Sequence, residues 1–279
     1  MYKNSTFVCM LIALSCAFIP GCKKKSAAHS QKDTNSAAQQ EKKKRKYFRD
    51  LTYDELRLNK ERLVREGRKE TAINHLEKML PLCNNIQELR DMTLEIADLL
   101  FDIGNLKKAE KLYNQFVQLY PGDKHIEYAS YRAILCCFWQ TLDAERDQTK
   151  TNDTIAMAKA FLGRSEVFKE YTNEVSDILV QCKNRIFESE EKVFRFYLHR
   201  GDLLSAKHRL ENMEKTFKGT LPDAEPKLIL MACDFAAKLN DEAMLAEKQT
   251  EMQTKFPDYQ SELVVAQKQE TKKPAADRF

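Results

Sequence analysis

The chain has 279 residues, of which only seven are glycine and seven proline, while 32% are charged and the net charge is +4. So few turn formers beside so many charges point to long helices, and the lack of sustained apolar–polar alternation argues against a sheet. A Gly-rich phosphate loop and a Gly-x-Ser-x-Gly nucleophile turn are both missing from the sequence, which removes the commonest signatures of nucleotide and acyl-transfer enzymes.

Residues 1–21 read as a signal peptide. Lys3 supplies a short positive region, and Phe7 to Ile19 is an apolar run too short to span a bilayer. The run ends in Ile19-Pro20-Gly21-Cys22, which resembles a lipobox, although Pro20 stands where that pattern has Ala or Ser. Export with an incidental cysteine is the other reading of the same stretch. On the lipobox reading, cleavage leaves Cys22 as an acylated N-terminus, and several acyl chains give stable anchoring. Residues 22–50 then form the lipidated cysteine and a basic, disordered tether, rich in Lys, Ser, Ala and Gln. Beside a lipid anchor, Lys23–Lys25 and Lys42–Lys46 fit anionic head groups better than nucleic acid.

Residues 51–265 read as a series of helix pairs, and 266–279 as a polar tail. The spacing predicts helices over Tyr53–Glu66 and Glu70–Leu80, then Ile86–Ile103 and Leu106–Leu119. Gly67, Gly104 and Gly201 are each followed five residues later by alanine (Ala72, Ala109, Ala206) and then by large residues one turn on. A glycine turns the chain left-handed, a small alanine lets two helices approach, and the large residue plugs the gap. Gly67 and Gly104 are 37 residues apart, close to the period of about 34 in tetratricopeptide repeats. The expected fold is all-α, a superhelix of about five such pairs. The last runs from Pro226 to Phe256, where Leu245 takes the place of the alanine.

The third pair departs from this pattern. Its first helix is expected over Ile126–Trp139 and its second to contain Thr154–Leu162. Between them Leu142 to Thr149 forms a polar loop longer than a repeat turn needs, and such loops are more often functional than accidental. A long helix follows, with Asn173 as its expected cap and Val175, Ile178, Leu179, Cys182, Ile186, Val193 and Tyr197 as its expected inner face. Arg209, beside Ala206 on the next helix, either pairs with a partner's carboxylate or pairs within the chain with Glu190 or Glu211. Five cysteines beyond Cys22 form no Cys-x-x-Cys, and the histidines, including His199 and His208 flanking the Gly201 turn, form no His-x-x-x-His. No metal site, catalytic residue or cofactor is expected beyond the diacylglycerol and acyl groups on Cys22.

From Glu70 onward the chain resembles the outer-membrane assembly lipoproteins known as BamD, YfiO or ComL. Their Tyr-Pro then acidic-Tyr-x-x-Tyr pattern appears as Tyr120-Pro121, Glu127-Tyr128 and Tyr131. Their Asp-Arg-Asp-Gln-Thr loop appears as Glu145-Arg146-Asp147-Gln148-Thr149, with Glu in the first place. Their Arg-Leu-Ala-x-x-Glu helix appears as Arg185-Ile186-Phe187 and Glu190, ending in Phe196-Tyr197 and Arg200-Gly201, and the arginine closing their Ala-x-x-Arg segment is Arg209. Glu166 and Phe217-Lys218 depart from the family's punctuation.

The resemblance implies a non-enzymatic scaffold, lipid-anchored on the periplasmic face of the outer membrane. Its implied partners are the Omp85-class barrel-assembly protein and unfolded outer-membrane proteins, with Arg209 and Glu145–Thr149 as partner-binding residues and no nucleic acid. A secretin pilotin or a division or peptidoglycan scaffold would share the fold and anchor but leave the Glu145–Thr149 loop unexplained.

Overall fold

The computed structural model describes residues 47–257 and Tyr259. The lipobox, Cys22, nearly all of the basic tether and the 266–279 tail lie outside the described residues. The chain divides into two units, Met1–Asp50 and Leu51–Phe279. Of the first, a single 3-10 turn over Phe48–Asp50 is described.

The second unit is all-α among the described residues. Its helices are α1 (Tyr53–Arg65), α2 (Lys69–Met79), α3 (Ile86–Asp102), α4 (Leu106–Leu119), α5 (Ile126–Phe138), α6 (Thr149–Leu162), α7 (Thr172–Arg200), α8 (Leu203–Phe217), α9 (Ala224–Leu239) and α10 (Glu242–Lys255). They form five antiparallel pairs. Each helix packs on its neighbours in sequence, and α7 also reaches back to α5 and forward to α9, as in a tetratricopeptide superhelix.

The tight turns follow one recipe. Gly67, Gly104 and Gly201 sit at φ of 73°, 77° and 80°, and Asn240 at 57° takes the same left-handed position before α10. The residue after each donates its N–H five positions back (Asn105 to Leu100 O and Asp202 to Tyr197 O, for example), which ties off carbonyls at the helix end. At three of the four turns that residue also caps the next helix: Asn105, Asp202 and Asp241 accept from the N–H of Lys108, Ser205 and Met244. Ala72, Ala109 and Ala206 are fully buried, as the helix-approach argument requires. Leu245 is only half-buried, and α10, the last of the described helices, buries Met252 alone.

Two expectations about α7 need correction. The helix starts at Thr172, and Asn173 does not cap it. Its entry is held from outside: Glu127 Oε1, on α5, accepts from the N–H of Glu170 at 2.6 Å and of Tyr171 at 3.2 Å. The inner face is also not one stripe. Val175, Ile178 and Cys182 are buried with α5 and α6, whereas Phe187, Phe194 and Leu198 are buried with α8 and α9. Ile186, Val193 and Tyr197 are only half-buried. From Cys182 to Phe187 the buried direction turns by about 140°, at 100° per residue. One helix of 29 residues thus serves two successive cores.

Candidate partner-binding site

The Glu145–Thr149 segment belongs to the 139–148 connection and the first residue of α6, which starts at Thr149 rather than beyond the loop. Three of its residues build the loop. Gln148 Nε2 donates to the carbonyls of Asp143 (2.7 Å) and Arg146 (2.9 Å), and its Oε1 accepts from the buried Thr151 hydroxyl at 2.9 Å. Asp147 Oδ1 accepts from the N–H and hydroxyl of Thr149 at 3.2 and 2.8 Å, which secures the start of α6. Ala144 is buried beneath the loop. The other two residues face solvent. Glu145 pairs with Lys192 of α7, and that ammonium holds its carboxyl below the usual range. No carboxylate among the described residues reaches the exposed Arg146 side chain.

Arg209 lies on α8 and donates through Nη1 to Glu190 Oε2 of α7 at 3.0 Å. The within-chain pairing weighed for it is therefore present. Both side chains remain accessible, at 39% and 33%, and they border a groove of about 190 Å³ floored by Ile186, Met213 and Phe217. A guanidinium has five N–H donors, so one bond to Glu190 leaves capacity for a second carboxylate.

Loop and arginine are not brought into one patch. Both attach to α7, the loop through Lys192 and Arg209 through Glu190, and positions two apart point about 200° away from each other around a helix. The loop side also carries Arg185, seven residues before Lys192. Its guanidinium donates to the Thr141 hydroxyl and lies 5.9 Å from the Phe138 ring centre. Farther along, Arg195 joins Glu191 (2.8 Å) to Asp234 of α9 (3.3 Å). Phe196 is 57% exposed and edge-on to Tyr197. His208 hydrogen-bonds Asn212 on its own helix.

One cluster escaped sequence reasoning. Asp98 of α3 accepts from the hydroxyls of Tyr113 (2.5 Å, α4) and Tyr128 (2.8 Å, α5). Arg132 donates to the Tyr113 oxygen at 3.3 Å and lies 3.6 Å above the Phe101 ring centre, and Phe101 in turn packs on the half-exposed Trp139. Burial, then the bond to Asp98, pushes the Tyr113 hydroxyl far up, so it stays a neutral donor. The available signal was Tyr113 itself: a tyrosine at a gap-plugging position needs a partner for its hydroxyl. Among the described residues no cluster of His, Cys, Asp or Glu is placed to hold a metal ion, and no helix is long and apolar enough to cross a membrane.

A family model described as YfiO, outer membrane lipoprotein, matches residues 50–262, a span that takes in the loop and Arg209 but not Cys22. Over 203 residues the chain is 26% identical to the outer membrane protein assembly factor BamD of Buchnera aphidicola, covering 68% of this chain and 80% of that protein. Over 130 residues it is 27% identical to the BamD of Caulobacter vibrioides, covering 47% of this chain and 42% of that protein.

Proposed function

Because the chain belongs to the YfiO family of outer-membrane lipoproteins, we propose that it is a non-catalytic scaffold of the outer-membrane β-barrel assembly machinery. In this reading residues 1–21 are removed, Cys22 carries the acyl groups, residues 22–50 are a basic tether, and the 51–265 repeat domain works on the periplasmic face. The repeat domain binds the Omp85-class barrel-assembly protein and helps unfolded outer-membrane proteins to fold and insert.

The observation that carries the reading is the family match across residues 50–262, within which both the Glu145–Thr149 loop and Arg209 fall. The geometry supports a role for Arg209. Glu190 holds its guanidinium in place before any partner arrives, which lowers the ordering cost of binding. A partner carboxylate then joins or replaces Glu190. Arg146 gives the loop side a second accessible cation, and Glu145 with Lys192 fixes the loop against α7.

Affinity capture of the lipidated chain from native membranes tests the proposal. It should recover an Omp85-class protein, and intact-mass analysis should show a chain starting at an acylated Cys22. Recovery of a secretin or of peptidoglycan enzymes in its place would overturn the assignment. An unmodified N-terminus at another residue would overturn the anchor alone.

A further inference from the structure

A second groove lies far along the chain from Arg209, where α4, α5 and α6 meet. It encloses about 190 Å³ and is walled by Val117, Ile134, Met157, Phe161 and Phe168. Its origin is local. The α6–α7 connection, residues 163–171, is longer than the others between pairs, and it folds Phe168 inward against Phe161 at 4.8 Å between ring centres. Its neighbour Val167 is left exposed.

One charged side chain lines this apolar groove. Arg164 is exposed, and its guanidinium carbon lies 4.2 Å from the centre of the buried Phe168 ring. Stacking on an aromatic face holds a guanidinium in place while leaving its in-plane N–H donors open. Among the described residues no carboxylate pairs with it, although most other arginines along the repeats have such a partner. The Asn114 amide also lines the groove. An apolar slot roughly the size of one large side chain, bordered by a fixed and unpaired cation, is the arrangement of an anchor pocket in a protein interface.

We propose that this groove docks a segment of a second protein that inserts one large apolar side chain against Phe161 and Phe168 and presents an adjacent carboxylate to Arg164. The occupant is a polypeptide with an acidic residue beside its anchor. The site is separate from Arg209, so the two contacts can be broken independently.

The test uses the full lipidated chain in native membranes with a benzophenone photo-crosslinker at Ala160, on the rim of the groove. The adduct is read by mass spectrometry. The expected product is a peptide with a large apolar residue within two positions of Asp or Glu. Its yield should fall about tenfold in Arg164→Glu, as for loss of a charge-assisted bidentate contact, and fall less in Arg164→Lys. Thermal midpoints should move by only a few degrees, since Arg164 has no ion-pair partner to lose and only its exposed stacking on Phe168 is removed. Absence of an adduct, an adduct to lipid, an adduct to a peptide without an acidic residue, or a yield indifferent to Arg164→Glu would each overturn the proposal.

Discussion

The Asp98 cluster and the ion pairs along α7 use the same chemical groups for opposite ends. Around Asp98 of α3, two tyrosine hydroxyls and Arg132 converge from α4 and α5, and among the described residues no buried side-chain nitrogen or oxygen lacks a partner. Such a network fixes how α3, α4 and α5 align, because a slip would leave the fully buried Tyr113 hydroxyl unmatched. On α7 the pairs Glu145–Lys192 and Glu190–Arg209 are at least a third exposed, and pairs of that kind contribute little to stability. Little is lost when they exchange partners, which suits the partner contact proposed for Arg209.

The largest effect should come from the packing that both regions share. Ala109→Trp drives a large ring into a fully buried helix contact and should cost about 3 kcal/mol or more, a melting drop of roughly 6–12 °C for a domain of this size. A variant melting like the parent would remove Ala109 from the pair interface. Next comes the cluster itself. Asp98→Ala strands the Tyr113 hydroxyl and should cost about 2 kcal/mol, while Tyr113→Phe, which deletes the donor, should cost less. Equal melting of parent and Asp98→Ala would erase the contrast between the two regions.

A pH titration sharpens it. The Lys255 and Lys248 ammonium groups hold the Glu251 carboxyl at about 2, below the ordinary 4.5. Its folded-state pKa is lowered, so its stabilisation is complete above the unfolded value and is lost as pH falls from about 4.5 to about 2. Acid should therefore loosen α10 over that window, read by hydrogen exchange, and Glu251→Gln should flatten the response. A window unchanged in Glu251→Gln would assign the acid response to other carboxylates. The smallest stability change is expected for Lys192→Ala, with no measurable shift in the melting midpoint.

Much of this was legible in the chain. A glycine with a buried alanine five positions later located three pair turns, because left-handed backbone and close helix approach each demand one residue type. The quoted family motifs were visible too, but not what their residues do. Glu127 caps the entry of α7, Tyr128 joins Asp98, and Tyr131 stacks on Tyr171 at 4.4 Å. Gln148 folds its own loop. The ties of Glu127, Tyr128 and Tyr131 join units distant in sequence, and no local pattern encodes them. The face of α7 was misread for a related reason. Extending one period assumes one packing partner, whereas Phe187, Phe194 and Leu198 answer to a different core from Val175, Ile178 and Cys182. The pairing of Arg209 with Glu190 was foreseeable from charge, but its half-exposure was not.

The role proposed for Arg209 is to hold its partner with a contact the fold can spare. Calorimetric titration of native and Arg209→Ala protein with the periplasmic domains of the captured Omp85-class partner, with melting recorded on the same samples, tests it most directly. The account predicts that affinity falls by about 30-fold or more, as for a lost interfacial charge pair of about 2 kcal/mol. Losing the exposed pair with Glu190, at most about 1 kcal/mol, should lower the midpoint by no more than about 4 °C. Unchanged affinity in a folded variant, or an affinity loss matched by a large drop in melting temperature, would contradict it.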